Sequence, residues 1–180
     1  MKARIMMVAG LALLLVSAVG AQTKISGQQS CPKAEVVGTA DAGDRTGHTL
    51  TLVKQSCTWT AGMEMGGAKS KDGTSTAFAE AWSTQATTTG TYVGNMDNGD
   101  KFFVSFHDST KVKDGAPVGP IHGTWSYTGG TGKLKGITGK GTYTVTPNAD
   151  GSGVVDVEGD YTIPPPAAPK AAAPKPKTGK

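Results

Sequence analysis

The chain has 180 residues, 26 of them glycine, with 18 Lys and Arg against 14 Asp and Glu. The basic excess is peripheral: Lys2 and Arg4 lie before residue 22, and Lys170, Lys175, Lys177 and Lys180 lie after residue 163, so the 142 residues between carry 12 basic and 14 acidic side chains, a net −2. That near-neutral span excludes the basic, aromatic-studded groove on which nucleic-acid binding depends.

Residues 1–21 begin with Lys2 and Arg4, continue through an apolar run at 5–16 and end in Ser17, Ala18, Val19, Gly20 and Ala21. This pattern predicts a helical secretory signal cleaved after Ala21, and a periplasmic or secreted protein. The run is shorter than the roughly 20 residues of a bilayer-spanning helix and no second one follows, so no membrane span is expected. No cysteine directly follows the cleavage point, which argues against lipid attachment. An oxidising compartment makes a Cys31–Cys57 disulfide the expected state of the two cysteines. It would close a loop of about 26 residues, worth roughly 3 to 4 kcal/mol in the chain-entropy model.

Residues 22–163 read as one domain. Helical periodicity is absent, and Thr, Val and Gly dominate. Strands are predicted at 34–40, 48–59, 75–84, 88–96, 101–111, 117–128, 139–146 and 153–163. Between them the Asn98–Gly99 pair suits a type I′ hairpin, and Asp72–Gly73, Asp114–Gly115 and Asp150–Gly151 read as further turns. Strands spaced this closely leave no room for crossover helices. They predict an all-β antiparallel meander closing as an approximately eight-stranded barrel, with a two-sheet sandwich as the alternative.

Alternation assigns faces. Phe102, Val104 and Phe106 oppose Phe103, Ser105 and His107; Ile121, Trp125 and Tyr127 oppose His122, Thr124 and Ser126; Val155, Val157, Tyr161 and Ile163 oppose Asp156, Glu158 and Asp160. The glycines read as sites of tight curvature or bulges. Residues 164–180, rich in Pro, Ala and Lys, cannot bury enough surface to offset their ordering entropy and read as a disordered tail. Its lysines offer a weak contact with anionic envelope polymers.

Glu80 is the candidate catalytic carboxylate, because Phe78 and Trp82 would share its face. A lumenal position would desolvate it and make it a general acid or base, whereas inward-facing Ala77, Ala79 and Ala81 would leave it in solvent. Phe78, Trp82, Trp125 and Tyr127 are the candidate lining of an apolar pocket. His48, His107 with Asp108, and His122 titrate but have no metal-ligand spacing. If the strands carrying His107 and His122 pair, those two rings approach one another. Neither a phosphate loop nor a dinucleotide fingerprint is present, and no cofactor or metal is implied.

The run from Gly123 to Tyr143 contains Gly130, Gly132, Lys133, Leu134 and Gly136, followed by Gly139 and Gly141. It resembles the glycine-patterned hairpin of allene oxide cyclase and dirigent-like barrels. The resemblance implies an eight-stranded antiparallel barrel with a cavity, in a superfamily whose members isomerise lipid-derived substrates or steer a coupling reaction. Two readings follow: an exported barrel that binds a small apolar molecule or serves as an envelope accessory protein, or a cyclase or isomerase using a lumenal carboxylate.

Overall fold

The computed structural model describes residues 22–165, so the expected signal helix at 1–21 and the tail from 166 onward lie outside the described residues. Strands follow one another as β1 Thr23–Cys31, β2 Glu35–Asp41, β3 Thr49–Ala61, β4 Glu64–Met65, β5 Ala68–Ala81, β6 Gln85–Met96, β7 Lys101–Lys113, β8 Ala116–Pro117, β9 Ile121–Gly130, β10 Thr138–Pro147 and β11 Gly153–Thr162. A 3-10 turn occupies Gly132–Leu134. Eight of the strands, β1, β3, β5, β6, β7, β9, β10 and β11, pair antiparallel in chain order, and β11 returns to β1. The sheet is therefore a closed barrel, not a sandwich, in which β1 meets β3 over Gln28, Gln29 and Ser30 and β2 takes the edge of β3 from Thr49 to Lys54.

The predicted strand set needs one exchange. The segment predicted at 34–40 is β2, which pairs only with β3 and has all seven residues exposed; it lies beside the ring. The ring position belongs to β1, whose sequence hides its alternation. Of its inward residues only Ile25 is a large aliphatic one, while Gly27 makes room for the Trp59 ring and Gln29 donates to the Tyr92 hydroxyl at 3.3 Å. Polar Gln29 and bare Gly27 carry no apolar signature, yet both face the core.

Turns also differ from expectation. Gly99 has φ 87° but Asn98 does not have positive φ, and the Gly99 N–H donates to the Met96 carbonyl; the turn is a four-residue one ending in a left-handed glycine. Asp114–Gly115 is the pair with both φ values positive, 53° and 80°, the type I′ signature. Asp72–Gly73 is no turn but lies inside β5. An added Cβ at Gly73 would sit 2.2 Å from the Tyr92 hydroxyl oxygen, so the glycine is there to admit a ring.

One end of the barrel is plugged. The β3–β5 connection, which includes β4, supplies Met63 and Met65, the segment after β9 supplies Leu134 and Ile137, and Met96 and Phe102 complete a layer in which no side chain is more than 3 % exposed. The Tyr127 hydroxyl donates to the Met65 sulfur within this layer. The other end is ringed by Ala34, Gly115, Ala116, Pro117, Asn148 and Ser152 and carries no such plug.

Candidate functional site in the barrel lumen

A cavity of about 570 Å³ runs from the open end into the lumen. Its deeper wall consists of Trp59, Tyr92, Phe102, Val104 and Tyr127, the register partners Phe106 and Trp125 stand one step higher, and Val145 and Val155 stand nearer the mouth. The aromatic rings fit because glycines face them. Gly141 and Gly159 are cross-strand partners, and a Cβ on either would stand 2.7 or 2.5 Å from the Trp125 ring. Trp125 therefore lies flat against bare backbone, its Nε1 donating to the Thr142 and Glu158 carbonyls at 3.1 and 3.2 Å. Such ring-over-glycine packing is the usual device by which strand glycines regain buried contact area. Curvature alone is too narrow an account of this composition.

Polar groups in the wall fall into two sets. Low in the lumen the Tyr92 oxygen accepts from Trp59 Nε1 at 3.1 Å and from Gln29, and burial pushes the Tyr92 hydroxyl far above its ordinary range. Higher up, Asp108 is 7 % exposed and accepts a hydrogen bond from the Tyr143 hydroxyl at 2.5 Å. Asp108 on β7 and Tyr143 on β10 are both register partners of Gly123 on the strand between them. A Cβ at Gly123 would meet the Tyr143 ring at 2.2 Å, so only glycine lets that tyrosine cross β9 to the carboxylate. Burial first, and the bond to Asp108 second, raise the Tyr143 hydroxyl far above its ordinary range, and it donates to the carboxylate.

Asp108 is the only Asp, Glu, Lys, Arg or His among the described cavity-lining residues. Its position was legible: it continues the inward series Phe102, Val104, Phe106 by one more step of two. Its partner was not, since Tyr143 lies 35 residues away and the contact needs Gly123 between.

Of the four candidate lining residues, Trp125 and Tyr127 lie on the cavity wall. Phe78, Trp82 and Glu80 do not. On β5 it is Ala77, 5 % exposed, that faces the lumen, and Phe78 is 47 % exposed on the outer surface. Rings from β3, β6, β7 and β9 line the lumen, and β5 contributes only the small residues Gly73, Ser75 and Ala77 to that face. Glu80 thus belongs to an outer clasp: His48 donates from Nε2 to Glu80 at 2.8 Å and from Nδ1 to Asp44 at 2.5 Å. Two carboxylates on its two nitrogens call for a charged imidazole, and the bonds to Asp44 and then Glu80 raise the His48 pKa. Trp82 stacks on His48 with centroids 5.2 Å apart, and Arg45 lies over the Trp82 ring.

His107 and His122 do not meet as a pair. β7 and β9 are neighbours, but His107 is level with Thr124 and His122 with Ser109, and each Nδ1 bonds its own threonine, Thr89 and Thr144. Among the described residues no three His, Cys, Asp or Glu side chains could hold a metal. Cys31 and Cys57 form the expected disulfide, joining β1 to β3 in the cavity wall. A second concavity of about 1130 Å³ lies across the outside of β6, β7, β9, β10, β11 and β1; it is open to solvent and lined by Thr89, Ser105, His107, Ser126, Lys140 and Asp160 among others. No described helix is long and apolar enough to cross a membrane.

No family model and no curated protein matches the chain. Among solved structures it is similar to a protein of unknown function from the DUF3224 family of Shewanella oneidensis MR-1, with 19 % identity, a TM-score of 0.47, and 81 % of this chain and 99 % of that one covered.

Proposed function

We propose that the protein is an exported carrier whose barrel lumen holds one small, largely apolar molecule. The observation that carries this reading is the 570 Å³ cavity, walled by aromatic and aliphatic side chains and open at one end while the other end is plugged. That combination is the general form of a small-molecule site. The disulfide supports maturation outside the cytosol. We retain kinship with allene oxide cyclase and dirigent-like barrels as a proposal about architecture. We also retain the basic tail as a weak tether to anionic envelope polymers, to be checked by removing residues 165–180 and measuring retention at low salt.

The carrier reading is tested with N-phenyl-1-naphthylamine, a neutral fluorophore that brightens in apolar surroundings. Saturable brightening is expected with the wild-type chain. Ala77→Phe, which puts a ring into the cavity, should weaken binding at least about tenfold, equivalent to about 1.4 kcal/mol. A wild-type protein that leaves the dye dark overturns the reading.

One observation favours the cyclase or isomerase alternative: a carboxylate stands on the cavity wall, and it is Asp108 instead of Glu80. That alternative expects a molecule extracted from the native protein to be converted, on prolonged incubation, to an isomer of equal mass. Recovery of unchanged ligand contradicts it.

A further inference from the structure

The cavity wall is mostly apolar, and Asp108 is the one acidic side chain among its described residues. Asp108 stands at mid-height with Phe106 below it on the same strand and Val145, Val155 and Ile121 among its companions on the wall. Neither lysine, arginine nor histidine is among the described residues lining the space. Among the described residues, the one side-chain bond made to the carboxylate, from Tyr143, reaches Oδ2. The carboxylate is thus buried with one hydroxyl as its side-chain partner among the described residues and with no cationic side chain beside it on the wall.

The chemistry that completes this arrangement is a cation or a strong donor brought in by the ligand. A carboxylate or phosphate on the ligand would put two like charges in a low-dielectric space without a counter-ion, and a plain hydrocarbon would leave Asp108 as it is. Resting on the carrier reading, we propose that the lumen recognises amphiphilic amines, with the ammonium group paired to Asp108 Oδ1 and the hydrocarbon part lying against Phe106, Trp125 and the valines. Tyr143 is a positioning residue: it holds Oδ2 and leaves Oδ1 without a side-chain partner among the described residues, and Gly123 is the gap that lets it reach the carboxylate. The charge, not the apolar wall, then selects among molecules of equal hydrophobicity.

Three probes of equal chain length separate the terms: decylamine, decanol and decanoate, each titrated against N-phenyl-1-naphthylamine bound to the wild-type chain at neutral pH. Decylamine should displace the dye at least about tenfold more tightly than decanol, and decanoate should be the weakest. Asp108→Asn should bring amine and alcohol to within about threefold of each other, and Glu80→Gln, which removes one negative charge from the outer clasp, should keep the wild-type order. If Asp108→Asn does not fold, the wild-type order decides alone. Decanol equal to or tighter than decylamine, with the dye still bound, overturns the amine assignment and leaves the carrier reading standing. A dye that never binds overturns both. An amine preference that survives Asp108→Asn overturns the assignment of the counter-ion.

Discussion

The two ends of this barrel are made of the same alternating strands and have come to opposite states. At the plugged end, Met63, Met65, Met96, Phe102, Leu134 and Ile137 are each at most 3 % exposed, with two connecting segments folded across the opening. At the open end two of the connections are turns built around Gly115 and Gly151, a third carries β2 along the edge of β3, and aliphatic residues such as Ile121 and Val155 are only half buried. Stability is concentrated at one end and vacant volume at the other. A barrel whose lumen had only to be filled could have closed both ends, and the asymmetry is what gives the carrier reading its force.

The comparison breaks most visibly if the plug is opened. Phe102→Ala, in the most tightly packed layer, should cost about 3 to 5 kcal/mol, and Ile121→Ala at the mouth about 1 kcal/mol, read as shifts in urea midpoints. Equal costs would mean that the two ends are packed alike. Reduction of the Cys31–Cys57 bridge comes next, with an expected loss of roughly 3 kcal/mol by the same measurement. Because both cysteines line the cavity, reduced protein that still folds should also bind the dye less well.

Gly123→Ala sharpens the comparison at the open half. The added methyl meets the Tyr143 ring and must push it off Asp108, so stability should fall by about 1 to 3 kcal/mol. The diagnostic outcome is a Tyr143 that titrates at lower pH by ultraviolet difference absorbance. An unchanged tyrosine titration would show that ring and carboxylate do not depend on the glycine.

The smallest effect belongs to the outer clasp. His48, raised by its partners, stabilises the fold fully below its unfolded value of about 6.5, and that contribution fades as pH rises through its higher folded value. Asp44, lowered chiefly by the His48 bond, contributes above its ordinary value of about 3.9 and loses that contribution as pH falls through the lower folded one. Arg45 and Glu80 are the other charges facing the ring. Amide exchange at Ala42, whose N–H is held by the His48 carbonyl, should quicken above the His48 titration and in His48→Ala at all pH values. Exchange indifferent to both would remove the clasp.

How far these features could be read in advance depended on how locally each was encoded. The all-β barrel and seven of its eight strands follow from alternation and turn spacing, which are short-range signals. β1 escaped because its inward positions include Gly27 and Gln29, whose value appears only when Trp59 and Tyr92 arrive from other strands. The inward face of β5 was ambiguous for the same reason: Phe78 and Ala77 compete for the lumen, and the winner is set by how many rings the opposite strands have already placed there. Asp108 was within reach of simple counting from Phe102. The Tyr143 contact was not, because it needs a register across three strands.

The most direct examination of the central claim is a chemical-shift map of the isotopically labelled chain as N-phenyl-1-naphthylamine is added. The account predicts shifts confined to lumen-facing residues of the open half, Phe106, Tyr143, Val145 and Val155, with Met65 and Leu134 in the plug unmoved. Shifts at Thr89, Ser105, Ser126 and Lys140, the outer concavity, with the lumen silent, would contradict it.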